Sequence, residues 1–160
     1  MQRKIKHFED FETGQVFESE NYKIEQSEII EFAKKYDPQS FHTGEKDKEN
    51  IAPLFDDLTC SGYHVAAIAM RLMVDTFLKN TACLTSPGLE YVKWLGPVGD
   101  NDSIKGRFEI LEKRRSKSDP RRGIIKVKEE LFNQKGSKVF ESVKTLFIGI
   151  RDFEDNDESG

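Results

Sequence analysis

The hydrophobic period of this chain changes once, and that change limits the possible folds more than any other feature. Val65, Ile68, Ala69, Leu72, Met73, Thr76 and Phe77 recur at i, i+3, i+4 and i+7. This spacing lays side chains on one stripe of an α-helix. Ala66, Ala67 and Met70 widen the stripe, so the helix is mostly buried and its alanines let neighbours approach closely. Past Ser86-Pro87-Gly88 the period becomes two. Leu89, Tyr91, Lys93 and Leu95 alternate with Glu90, Val92 and Trp94. Ile104, Gly106, Phe108 and Ile110 alternate with charged neighbours, as do Ile125, Val127 and Leu131. Phe140, Ser142, Lys144, Leu146 and Ile148 interleave with Val139, Val143 and Phe147. Such alternation reads as strands with one buried face. Turn-forming residues separate the runs at 96–101, 118–120 and 133–136. Short links between long consecutive strands predict antiparallel pairing in a meander. A buried helix followed by that sheet is an α+β plan, and the chain has no internal repeat.

Upstream the pattern is shorter. Val16, Phe17, Tyr22 and Ile24 read as strand around the turn at Thr13-Gly14-Gln15. Ser27 as N-cap predicts a helix over residues 28–36, with Glu28 and Glu31 at its positive end. Pro38 ends it, because Asp37 before a proline is pushed out of the α region. Residues 41–58 read as polar and irregular, with 45–50 as their solvated part.

Composition narrows the class. The chain has 160 residues, the size of one domain, and 42 of them are Leu, Ile, Val or Phe, above the level at which disorder becomes the default. A single domain over residues 1–150 is expected, with an acidic, disordered tail at 151–160. Basic residues number 25 and acidic residues 29, a net charge of −4, which argues against a nucleic-acid partner. No apolar run reaches the ~18 residues of a membrane span. The basic start, Met1-Gln2-Arg3-Lys4, lacks the apolar stretch of a signal peptide. Two cysteines, Cys60 and Cys83, make no disulfide framework and point to a reducing, cytoplasmic setting.

Few residues here suit chemistry. Asp37 lies five residues before His42 in Asp37-Pro38-Gln39-Ser40-Phe41-His42. On a continuous helix those side chains would diverge by about 140°, but Pro38 breaks the helix and a loop can aim both at one point. An imidazole and a carboxylate sharing a water take and return a proton near neutral pH. The plainer reading, an Asp capping backbone amides beside a surface His, stays open on spacing alone. His42 has no partner at HxxxH spacing, so no metal is expected. His64, in the first turn of the buried helix, reads as a hydrogen-bonded packing residue. Ser61-Gly62 opens that helix, where free N–H groups and the positive dipole end suit a developing oxyanion; an ordinary N-cap fits the same two residues. Ser61 is a poor nucleophile, since its surroundings are not GxSxG. Arg114, Arg115, Arg121 and Arg122 flank a hairpin turn and read as its solvated end, or as contacts to a phosphate-bearing ligand.

In combination the motifs resemble a family. Phe32-Ala33-Lys34-Lys35-Tyr36-Asp37-Pro38-Gln39-Ser40-Phe41-His42 is similar to the catalytic loop of MaoC-like acyl dehydratases and (R)-specific enoyl-CoA hydratases. Cys60-Ser61-Gly62-Tyr63-His64 and the alanine-rich run after it resemble the start of that family's central helix. Trp94-Leu95-Gly96-Pro97-Val98-Gly99-Asp100 resembles the turn that follows, and the likeness runs over residues 8–150. Gln39 and Ser40 stand where better-studied hydratases carry Asn and Pro, and Asp56-Asp57 where relatives often carry glycine. The resemblance implies a hot-dog fold, an antiparallel sheet wrapped around one long helix, pairing into a homodimer or higher oligomer. It implies a trans-2-enoyl or (3R)-3-hydroxyacyl thioester of coenzyme A or acyl carrier protein as substrate, with no cofactor. Asp37 and His42 match the positions that activate water. Gly62, with Ser61 beside it, matches the position that polarises the thioester carbonyl. Rival readings on the same fold are an acyl thioesterase and a non-catalytic acyl-thioester-binding subunit.

Overall fold

The computed structural model describes residues 4–45, 54 and 57–151. Two short strands, β1 (Val16–Glu18) and β2 (Tyr22–Lys23), precede three helices, α1 (Gln26–Tyr36), α2 (Ser40–Thr43) and α3 (Gly62–Thr76). Four long strands follow: β3 (Cys83–Trp94), β4 (Ser103–Arg115), β5 (Arg122–Phe132) and β6 (Lys138–Gly149). The expected acidic tail beyond Arg151, the solvated stretch at 46–50 and Asp56 lie outside the described residues.

The helical stripe and the strand alternation meet in one core. Val65, Ile68, Ala69, Leu72 and Met73 of α3 are buried. They face Ile104, Phe108 and Ile110 of β4, Ile125, Val127 and Leu131 of β5, and Phe140, Leu146 and Ile148 of β6, all buried on alternate positions. Each of these side chains larger than alanine stabilises the fold by roughly 1.5–3 kcal/mol. Phe77 closes one end, with ring centroids 4.5 Å from Phe17 and 6.1 Å from Phe11. The result is an antiparallel sheet around a central helix, the hot-dog arrangement.

Three local expectations need correction. The long strands do not form a simple meander: the sheet order is β1-β4-β5-β6-β3, with β2 also on β4. Residues 95–102 are a crossover rather than a hairpin, because they pair with the segment before α3. Thr59 bridges Gly99, and Cys60 N–H donates to the Val98 carbonyl at 2.7 Å, and β4 lies three places from β3, between β1 and β5. Helix α1 starts at Gln26, and Ser27 caps nothing. Ile24 is fully buried and tied to residues 101 and 102, so the chain leaves the sheet at Glu25, whose carbonyl takes the first helical bonds from Glu28 and Ile29. Inside the stretch read as irregular, Ser40–Thr43 forms the single helical turn α2, closed by Gly44 at φ 73°.

The basic run is the β4–β5 hairpin end. Arg121 and Arg122 turn to Asp119, and Arg115 lies 3.6 Å from Glu9. Polar side chains also enter the helix-facing side of the sheet. Glu129 of β5 is 2% exposed, lies 2.8 Å from Lys144 Nζ and accepts a short hydrogen bond from Ser142. Strand β3 is an edge, with Leu84, Leu89 and Trp94 exposed. No helix among the described residues is long and apolar enough to cross a membrane.

Candidate active site

The end of α1, the turn α2 and the start of α3 converge on one point. Asp37 caps α1 with φ −151° and ψ 69°, outside the helical region as Pro38 requires. Its backbone N–H still reaches the Ala33 carbonyl at 2.8 Å, but its side chain leaves the helix. Gln39 Nε2 donates to Asp37 Oδ1 at 2.7 Å, and Ser61 Oγ donates to Oδ2 at 2.6 Å. The Ser61 hydrogen bond holds the carboxyl below its ordinary value, against the opposing push of partial burial. Gln39 and the nearby His42 act in the same direction as Ser61. Asp37 is therefore a carboxylate across neutral pH.

Helix α2 delivers His42, which is buried. Its Nδ1 lies 2.7 Å from the Thr59 carbonyl oxygen. A carbonyl only accepts, so Nδ1 carries the hydrogen and the neutral ring presents its lone pair at Nε2. That Nε2 faces Asp37 Oδ2 at 3.6 Å, too far for a hydrogen bond and close enough for both to touch one water oxygen. Thr59 is in turn fixed by its bridge to Gly99, so the β3–β4 crossover sets the orientation of the imidazole.

Ser61 is the N-cap of α3, yet its hydroxyl makes no capping bond; it is spent on Asp37 instead. Gly62 is the first residue of the helix, where N–H groups have no partner four residues back. A side chain at 62 has no room: a Cβ there would lie 2.8 Å from the Trp94 indole. Trp94 Nε1 donates to the Gly62 carbonyl at 2.7 Å, and its ring meets Tyr63 edge-on at 5.8 Å. The structure thus gathers the Ser61 hydroxyl and His42 Nε2 around Asp37 Oδ2, at 2.6 and 3.6 Å, with Gly62 next to Ser61. His64 stands apart as a packing residue, stacked on Phe32 at 4.6 Å and bonded to Glu28 at 2.8 Å.

Three contributors escaped the sequence reading. Gln39 was noted only as a departure from relatives, and Thr59 acts through a carbonyl that every residue type possesses. Trp94 reads as part of a strand and of the motif that carries the resemblance; nothing local says that its indole sits against a glycine 32 residues away. Among the described residues no group of three or more His, Cys, Asp or Glu side chains could hold a metal ion.

Comparison with known proteins bears on the family and fold of the chain. An uncharacterized protein, YdeM, from Bacillus subtilis (strain 168) is 26% identical over 140 residues, 88% of this chain and 96% of that one. The crystal structure of a MaoC-like dehydratase from Rhodospirillum rubrum superposes with a TM-score of 0.80 at 33% identity, covering 92% of this chain and 99% of its own. An (R)-hydratase from A. caviae shares the fold, with a TM-score of 0.66 at 18% identity over 85% of this chain and 96% of its own. The model of the MaoC like domain matches residues 10–131, a span that contains Asp37, His42, Gly62 and most of the sheet, and the chain belongs to the MaoC-like domain family.

Proposed function

We propose that this protein is a hydro-lyase that adds water to trans-2-enoyl thioesters, or removes it from (3R)-3-hydroxyacyl thioesters, carried on coenzyme A or acyl carrier protein. One observation carries the reading: His42 Nε2 and the carboxylate of Asp37 stand 3.6 Å apart, beside the N-terminal end of α3, where among the described residues no partner meets the Gly62 N–H. A water held by both has its oxygen aimed at the β-carbon. As that oxygen bonds to carbon, Nε2 takes its proton, and the double-bond electrons move through the α-carbon to the thioester oxygen. The Gly62 N–H and the positive end of α3 stabilise the enolate, a donor of this type contributing about 3 kcal/mol to a transition state. A proton from the pair then reaches the α-carbon, and dehydration is the reverse.

We further propose a homodimer. Strand β3 is a long edge with exposed Leu84, Leu89 and Trp94, and Tyr63 of α3 is 71% exposed beside it. An uncovered apolar edge of this kind is a pairing surface. Free Cys60 and Cys83 support a reducing, cytoplasmic setting.

The test follows the conjugated enoyl-thioester absorbance over a panel of chain lengths. Wild type should bleach it, and Asp37→Ala and His42→Ala should each lower kcat/KM by about 10²–10⁴-fold. Release of free thiol without loss of the double bond would assign a thioesterase. Ligand-induced stabilisation without turnover would assign an acyl-thioester-binding subunit. Equal inertness of wild type and both variants ends the hydro-lyase reading.

A further inference from the structure

One titratable cluster, in which His64 is buried and Tyr22 and Glu28 are part-exposed, plays no part in the proposed reaction. Tyr22 OH donates to Glu28 Oε1 at 2.7 Å, and His64 Nε2 lies 2.8 Å from the same oxygen. A carboxylate accepts, so Nε2 carries the hydrogen. Both donors meet Oε1, and among the described residues nothing donates to Glu28 Oε2. His64 is 3% exposed, and its buried Nδ1 has no partner among the described residues. Burial and the Glu28 carboxylate push the Tyr22 phenol up to about 12, which keeps it a donor to Oε1 at neutral pH.

This cluster lines a groove of about 370 Å³ between α1 and α3, inside the size range of ligand pockets. The helices run in opposite directions. Asp37 at the end of α1 meets Ser61 at the start of α3, while Glu28, nine residues back along α1, meets His64. The groove therefore leads away from the Asp37–Gly62 end, along Tyr36, Phe32, Ala67 and Ile68. Apolar Phe32, Ala67 and Ile68 line it together with charged Glu31, Lys35 and Arg71. A plain alkyl chain laid in it would strip water from the Glu28 carboxylate and replace no hydrogen bond.

We propose that this groove takes the acyl chain of the substrate, and that Glu28 Oε2 selects acyl groups carrying a hydroxyl beyond the reacting carbons over plain alkyl groups of equal length. The inference rests on the hydro-lyase reading and names its substrate class: hydroxylated enoyl thioesters. Tyr22 and His64 are positioning residues that turn the second carboxylate oxygen to the groove.

The experiment compares trans-2-enoyl-CoA esters of six to ten carbons, each with and without a terminal hydroxyl. Wild type should favour the hydroxylated ester by about tenfold in kcat/KM at the length that reaches Glu28, since a site built to bond a hydroxyl discriminates against its absence. Glu28→Gln keeps an oxygen for Tyr22 and His64 and turns an amide N–H to the groove. Its preference should drop about fivefold, as a charge-assisted bond is lost, with higher kcat/KM for the plain ester. His64→Leu should lower the preference in the same direction. Equal turnover of both esters by wild type at every length overturns the proposal while hydration stands. Variants that melt earlier but keep the wild-type ratio also overturn it, leaving the cluster as a brace between helices. No turnover of any ester removes the hydro-lyase reading and this subsite together.

Discussion

At the scale of single residues, the Ser61 hydroxyl is the main group holding the Asp37 carboxyl below its ordinary value. Ser61→Ala removes that hydrogen bond while burial keeps pushing the other way, so the Asp37 value should rise. For an activity that needs the carboxylate, the acid limb of the kcat/KM profile should then shift to higher pH. The same depression links to stability: it favours the folded state above the unfolded carboxyl value and is lost as pH falls through the folded one. Acid unfolding of Ser61→Ala should accordingly begin at higher pH than that of wild type. Gly62→Ala makes a different demand. Its methyl would sit 2.8 Å from the indole of the single Trp, so Trp94 must move. Overpacking of this kind costs about 1–3 kcal/mol, and a change in tryptophan emission together with lost turnover is the expected signature.

Among the elements, β5 and β6 share a buried ion pair on the helix-facing side, Glu129 with Lys144. Removing one partner leaves the other charge buried. Lys144→Met should therefore destabilise by about 3–5 kcal/mol in denaturant titration, and Glu129→Leu combined with Lys144→Met should recover most of it. Equal stability of single and double variants would show the pair to be uncoupled. The elements also mark where local patterns stop being informative. Ser27 has the residue type of an N-cap, but the tie between Ile24 and residues 101–102 starts α1 earlier. The spacing of 95–102 suits a link between neighbouring strands, but it pairs with the segment before α3, and β4 lies three places from β3 in the sheet.

For the whole molecule, the long exposed edge of β3 is the feature that a single chain leaves unsettled. A homodimer predicts a solution mass near twice 18.5 kDa, measured by light scattering or sedimentation. A charge placed on the edge, as in Leu89→Lys, should shift the mass toward one copy, because an edge lysine opposes strand-to-strand pairing. A wild-type mass of one copy at working concentration would exclude the dimer.

What the amino-acid order settled alone was periodic and local. A broad stripe at 3.6 and four runs at two, with turn residues between them, specify a buried helix and an antiparallel sheet, since each period allows one way to bury its apolar face. Pro38 likewise frees the Asp37 side chain from α1 by local sterics. Five-residue spacing singled out Asp37 and His42 as a pair without orienting either. Their mutual geometry was decided in three dimensions, because it depends on groups far apart in the chain. The Thr59 carbonyl selects the His42 tautomer across 17 residues, and the Ser61 hydroxyl leaves its cap to reach Asp37 across 24. Trp94 excludes any side chain at Gly62. Hydrogen bonds and close contacts of that reach carry no period, and only the packed fold brings their partners together.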